Sequence, residues 1–110
     1  MNLNEVRTRW SKDSKQMKTT RVTVKWPDGL HMRSAAQLVR LTRKFHSRII
    51  LRLGSRVADA RSILSIMILC AGLGAPLDIE ASGDDEHEAI VAVQAYFEQG
   101  DDYHSHTGSF

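Results

Sequence analysis

Two hydrophobic periods alternate along this chain, and their order leaves few folds open. In Arg21-Val22-Thr23-Val24-Lys25-Trp26 every second residue is apolar, so Val22, Val24 and Trp26 share one face of a strand. Pro27-Asp28-Gly29 ends it, because proline lacks the N–H and glycine permits a turn. From Ser34 to Phe45 the spacing becomes helical. Ala35, Leu38, Val39, Leu41 and Phe45 form one stripe, and Arg40, Arg43 and Lys44 form a basic rim suited to the negative end of a helix. Alternation returns over Arg48 to Leu53, with Ile49, Leu51 and Leu53 inward. Gly54-Ser55 turns the chain, and Arg56 to Ala60 runs back as a short strand.

The second half repeats the logic. Ser62 to Ala71 reads as a helix with apolar residues on nearly every side, more than one core can use, so part of it should face a partner. The rival reading is a short helix buried all round. Pro76 to Ala81 alternates again, with Leu77 and Ile79 inward. Ser82-Gly83-Asp84-Asp85-Glu86 is an acidic helix start, followed by the stripe Ala89, Ile90, Val93, Tyr96 and Phe97 up to Gly100. The order is β-α-β-β-α-β-α. Half-buried strands of this kind form an antiparallel sheet with helices on one face, so the expected fold is α+β: an open-faced β-sandwich, a four-stranded antiparallel sheet covered on one face by three helices.

At 110 residues there is room for one core. Residues 1–18 are polar with a lone aromatic, Trp10, and read as a flexible N-terminal extension. Residues 19–100 form the domain, and 101–110 read as a disordered tail. The longest mainly apolar run, Ile63 to Leu77, is short and interrupted by glycine, so no membrane insertion is expected. No secretory leader is visible, and Cys70, the single cysteine, allows no intrachain disulfide. The expected compartment is the cytoplasm, with Cys70 a buried, inert thiol in its apolar segment.

The net charge of +2 hides a division. Residues 19–61 hold ten Lys and Arg against Asp28 and Asp59, whereas residues 62–110 hold nine Asp and Glu and no Lys or Arg. Such asymmetry suggests a charged binding face, for nucleic acid, an acidic protein or a phosphate. The element order superficially matches an RNA-binding sheet, but residues 48–60 carry none of the aromatics on which such sheets stack bases. Nucleic acid is therefore not an expected partner.

The segment that carries chemistry is Gly29-Leu30-His31-Met32-Arg33-Ser34-Ala35-Ala36, at a strand-to-helix junction. A helix start offers unpaired amides and a positive dipole end, which together bind phosphate. His31 supplies a nucleophilic ring nitrogen there. Arg33 supplies a planar cationic fork for phosphate oxygens. Amides at Ser34 and Ala35 complete the cradle. These groups suffice for phosphoryl transfer, which depends mainly on positioning and charge, and neither metal nor cofactor is called for.

In this position, after the first strand, the segment resembles the active-site signature of the HPr family, the histidine phosphocarriers of the bacterial phosphotransferase system. The likeness runs from about Met17 to Gly100. Arg61-Ser62-Ile63-Leu64 stands at the family's regulatory position, and Met17-Lys18-Thr19-Thr20-Arg21-Val22 resembles an ordinary family start. The resemblance implies that His31 accepts a phosphoryl group on Nδ1 from enzyme I and passes it to a histidine of an enzyme IIA domain, with Arg33 contacting the group. It implies that the apolar helix after Ser62 docks both partners through Ile63, Leu64 and Met67. It further implies a possible HPr kinase/phosphorylase acting on Ser62, and a protein that works as a monomer. A dianion there would repel acidic docking surfaces.

Two positions depart from the family pattern. Serine stands at 34 where the family usually has proline, so rigidity at the first turn falls while an N–H and a hydroxyl are gained. Met32 replaces a small residue and enlarges the apolar docking patch. Other residues have plainer readings. Ser62 also fits an ordinary helix N-cap. His46 and His87 read as solvated, and His104-x-His106 lacks further ligands, so no metal site is assigned. The alternative function is a regulatory HPr-like protein of the nitrogen branch or catabolite-control type, acting by protein binding. The run from Ala89 to Phe97 slightly resembles the nitrogen branch.

Overall fold

A computed structural model describes residues 17–108, with side chains over 17–99. Strand β1 (Met17–Thr23) leads to helix α1 (Met32–Thr42), and β2 (Arg48–Leu53) and β3 (Arg56–Asp59) form a hairpin. Helix α2 (Ile63–Leu69), strand β4 (Pro76–Ser82) and helix α3 (Glu86–Gly108) follow. All strand pairs are antiparallel, in the order β1-β4-β2-β3, so the expected open-faced sandwich is the observed fold.

Register explains how the alternation becomes a core. β4 lies between β1 and β2 and sets Leu77 opposite Val22 and Ile79 opposite Leu51. These four side chains are buried, together with Ile49 and Ala81. Ala35, Leu38 and Val39 of α1, Ile66 and Leu69 of α2, and Ala89, Val93 and Phe97 of α3 join the same buried cluster. Trp26 is fully buried, stacked on Phe97 at 5.3 Å and edge-on to Tyr96 at 5.2 Å. Burying such side chains contributes roughly 1.5–3 kcal/mol each, which makes the face-forming alternation the main determinant of the fold.

On the other face of the sheet, Asp78 pairs with Arg21 at 2.7 Å and Glu80 with Arg52 at 2.5 Å. Exposed pairs of this sort are worth about 0–1 kcal/mol, so they tune the surface more than they hold it. They also place the acids of β4 on the side away from the helices.

Several local expectations shift. The strand begins at Met17, inside the segment read as an extension, because Met17 and Lys18 pair through their backbones with Ser82 and Ala81 and need no apolar pattern to do so. Residues 1–16, Trp10 among them, lie outside the described residues. β1 stops at Thr23, yet Val24 and Trp26 still point inward, and Val24 exchanges backbone bonds with Gly74 and Ala75. α1 starts at Met32 instead of Ser34 and ends at Thr42 instead of Phe45. α3 continues past Gly100 to Gly108, so the backbone of 101–108, read as a tail, is helical. A glycine within a helix costs only ~1 kcal/mol and does not by itself stop one.

Cys70 is the clearest reversal. It is exposed, not buried. α2 ends after Leu69, and Cys70 takes the left-handed cap position with φ 56° and ψ 44°, which swings its side chain off the helix face that Ile66 and Leu69 bury.

The strand-to-helix junction is held from the far side. The Leu30 N–H donates to the Ala71 carbonyl at 2.8 Å. A Cβ on Gly29, whose φ is +70°, would lie 2.6 Å from that same oxygen. Only glycine therefore lets the chain entering α1 press against the chain leaving α2. Among the described residues no helix is long and apolar enough to cross a membrane.

Candidate phosphoryl-acceptor site

His31 is the N-cap of α1, with extended backbone angles of φ −127° and ψ −173°. Its Nδ1 accepts the Arg33 N–H at 3.3 Å, and the Ser34 amide faces the same imidazole in a capping box. Nε2 is buried. An acceptor nitrogen carries no proton, so the ring's lone pair sits on Nδ1, aimed at the first-turn amides of the helix. A group attached to Nδ1 would meet those amides and the positive end of the helix dipole.

Of the two amides expected around His31, that of Ser34 faces the imidazole and that of Ala35 does not. Ala35 is buried, and its N–H donates to the His31 carbonyl at 2.7 Å as the first bond of the helix. The amides beside the imidazole are those of Arg33 and Ser34. The Ser34 hydroxyl does not face outward either. It accepts the His31 N–H at 3.0 Å and donates to the His31 carbonyl at 3.1 Å, in a residue fully buried. Arg33 is exposed, and among the described residues its guanidinium makes no ion pair.

Around this junction lies exposed apolar surface. Met32 is 67% exposed, Leu64 70% and Ile68 66%, with Ile63 and Leu73 also open to solvent. α2 is thus neither buried all round nor free: Ile66 and Leu69 face the core while Ile63, Leu64 and Ile68 face out. Met67 is half-buried, packing partly against the core and partly open to solvent beside them. The exposure of Ile68 fits the surplus of apolar residues in this run, whereas nothing in the sequence around Leu73 marks it as exposed.

Ser62 caps α2. Its backbone is extended, at φ −122° and ψ 115°, and its hydroxyl accepts the Ser65 N–H at 3.1 Å. Asp59 braces the approach, its carbonyl accepting from Ser62 N–H at 3.0 Å and its carboxylate from Arg61 N–H at 2.9 Å. The Arg61 guanidinium bonds to the Phe45 and Ser47 carbonyls.

Asp85, read simply as part of an acidic helix start, has a more specific task. It accepts the backbone N–H groups of His46 and Ser47, each at 2.8 Å, and the Ser47 hydroxyl at 2.5 Å. The Ser47 hydroxyl and these amides pull its carboxyl down to about 2. No group of three or more His, Cys, Asp or Glu among the described residues is placed to hold a metal, and the side chains of His104 and His106 lie outside those described.

Residues 18–99 match the family model PTS-HPr, described as the PTS HPr component phosphorylation site. The chain belongs to the HPr family. It is 40% identical over 67 residues to the phosphocarrier protein HPr of Cupriavidus necator, covering 61% of this chain and 75% of that protein. It is 43% identical over 83 residues to the phosphocarrier protein NPr of Proteus mirabilis, covering 74% and 92%. Among solved structures it is similar to HPr of Thermoanaerobacter tengcongensis, with a TM-score of 0.72 at 36% identity over 74% of this chain and 92% of that one. HPr family membership makes a phosphocarrier role in the phosphotransferase system the coarse function.

Proposed function

We propose that His31 accepts a phosphoryl group on Nδ1 from enzyme I and gives it up to a histidine of an enzyme IIA domain. The observation that carries this reading is the Nδ1 lone pair facing the Arg33 and Ser34 amides at the start of α1. In the forward step Nδ1 attacks phosphorus, the new N–P bond forms and the donor's N–P bond breaks, with the donor imidazole leaving. The Arg33 amide turns from Nδ1 to a phosphoryl oxygen, and the Arg33 guanidinium closes over the others. Met32, Ile63 and Leu64 form the apolar ground on which both partners dock, extended by Ile68. The basic segment from Arg21 to Arg61 attracts their acidic surfaces. The chain works in the cytoplasm and as a monomer.

Ser62 is the proposed regulatory residue, modified by an ATP-dependent HPr kinase/phosphorylase. A dianion at that position keeps an acceptor oxygen for the Ser65 amide while placing negative charge next to Ile63 and Leu64, so it weakens docking of acidic partners without unfolding α2.

A second reading is favoured by a specific likeness. The NPr of Proteus mirabilis matches a longer stretch than the HPr of Cupriavidus necator does, 83 residues against 67. On this reading the phosphoryl group goes to a signalling enzyme IIA of the nitrogen branch. Incubating the chain with enzyme I and labelled phosphoenolpyruvate, then with either a sugar-type or a nitrogen-type enzyme IIA, tests both. Label must enter wild type and not His31→Ala, and the acceptor that drains it names the branch. Label on neither protein, or equally on both, removes the carrier reading.

A further inference from the structure

The hydroxyl of Ser34 stands inside a chain of contacts that reaches from His31 to the last helix. Ser34 is fully buried and its Oγ holds both backbone polar groups of His31, accepting from the N–H at 3.0 Å and donating to the carbonyl at 3.1 Å. The Ser34 carbonyl in turn accepts from the Tyr96 hydroxyl at 3.0 Å, a buried bond between residues 62 positions apart. The Tyr96 hydroxyl also lies 2.9 Å from the Gln37 side-chain amide oxygen. Its ring is wedged edge-on against Trp26 and Phe97, at 5.2 and 5.7 Å. A buried hydrogen bond in low dielectric fixes geometry more firmly than an exposed one.

We infer that Ser34 and Tyr96 are positioning residues for the phosphoryl-accepting imidazole: Ser34 clamps the His31 backbone at both ends, and Tyr96 anchors the clamp to α3. Neither side chain touches the phosphoryl group. Their effect passes through the φ and ψ of His31, which set the direction in which Nδ1 points from an otherwise exposed helix start. Displacing a reacting atom slightly is enough to slow a transfer that relies on alignment. The inference rests on the carrier reading for its kinetic consequence but not for its structural one.

The test compares Ser34→Ala, Ser34→Thr and Tyr96→Phe with wild type in two measurements. The first is hydrogen exchange of the His31 amide and the nitrogen resonances of its ring, in the unphosphorylated chain. Ser34→Ala should speed exchange about tenfold, the equivalent of one lost hydrogen bond, and shift the Nδ1 resonance, with Ser34→Thr returning both toward wild type. The second is transfer from phosphorylated enzyme I. Ser34→Ala should lower kcat about tenfold with KM nearly unchanged, Tyr96→Phe should lower it about threefold, and Ser34→Thr should restore it. Tyr96→Phe keeps the packed ring, so it reads the anchor even where Ser34→Ala folds poorly. Wild-type exchange and resonances in both Ser34→Ala and Tyr96→Phe overturn the clamp. So does a loss in Ser34→Thr as large as that in Ser34→Ala. Wild type that accepts no phosphoryl group removes the carrier reading alone, and the first measurement then decides the clamp.

Discussion

At the start of α1 an imidazole accepts a first-turn amide, and at the start of α2 a hydroxyl does. His31 and Ser62 both have extended backbones, both cap a helix and both are followed by exposed apolar side chains, Met32 after His31 and Ile63 and Leu64 after Ser62. The difference lies in what each capping atom can do next. Nδ1 of His31 carries a lone pair and can attack phosphorus with no base to help it. The Ser62 hydroxyl must lose a proton first, and its hydrogen-bond partner is the Ser65 amide, a donor and not a base. The same cap geometry therefore makes an acceptor that a partner protein can load directly, and a residue that only a kinase bringing its own base can modify. On the proposed reading, His31 would exchange phosphoryl groups reversibly, whereas Ser62 would be set by a separate enzyme.

That contrast separates into measurable parts. Leu64 sits on α2 with its side chain in solvent, so Leu64→Asp should cut transfer from enzyme I about tenfold through docking while leaving stability within about 0.5 kcal/mol. An unchanged transfer rate would take α2 out of the docking surface. Ser62→Ala removes a cap and should cost about 1 kcal/mol in urea unfolding, yet leave label entry at His31 intact. Loss of labelling in that variant would mean that the two starts are not independent. The smallest effect belongs to the α1–β2 connection. Asp85 is held down to about 2 by the Ser47 hydroxyl and the His46 and Ser47 amides, against an ordinary value of 3.8. A depressed carboxyl stabilises the fold above the ordinary value and loses that contribution as pH falls toward 2. Asp85→Asn should therefore melt lower than wild type at neutral pH, with the gap closing between pH 4 and 2. A gap that stays constant across that window would show that the carboxylate charge is not what holds the connection.

Much of the scaffold was legible because alternation and burial are the same fact seen twice. Arg48 to Leu53 reads as a strand and is one, and Val22, Val24 and Trp26 face the core as their spacing requires. The HPr-like octapeptide likewise marked the right helix start. What was not legible depended on atoms far apart or on backbone conformation. Histidine is not a common cap, so nothing in the sequence marks Met32 as the start of α1, where the amides of Arg33 and Ser34 meet the imidazole and that of Ala35 bonds the His31 carbonyl. Cys70 looked buried by its neighbours, but a left-handed residue at a helix end does not follow the helical period. No local pattern could tie Tyr96 to Ser34 across most of the chain. Asp85 was recognised as a charge at a helix start, whereas its partners lie in the loop before β2.

The proposed transfer turns on one atom, Nδ1 of His31. Nitrogen and phosphorus NMR of the chain after loading by enzyme I and phosphoenolpyruvate reads that atom directly. The prediction is a single acid-labile, alkali-stable phosphoryl group coupled to Nδ1 of His31, absent from His31→Ala. Coupling to Nε2, or a phosphoryl group that persists in His31→Ala, would contradict it.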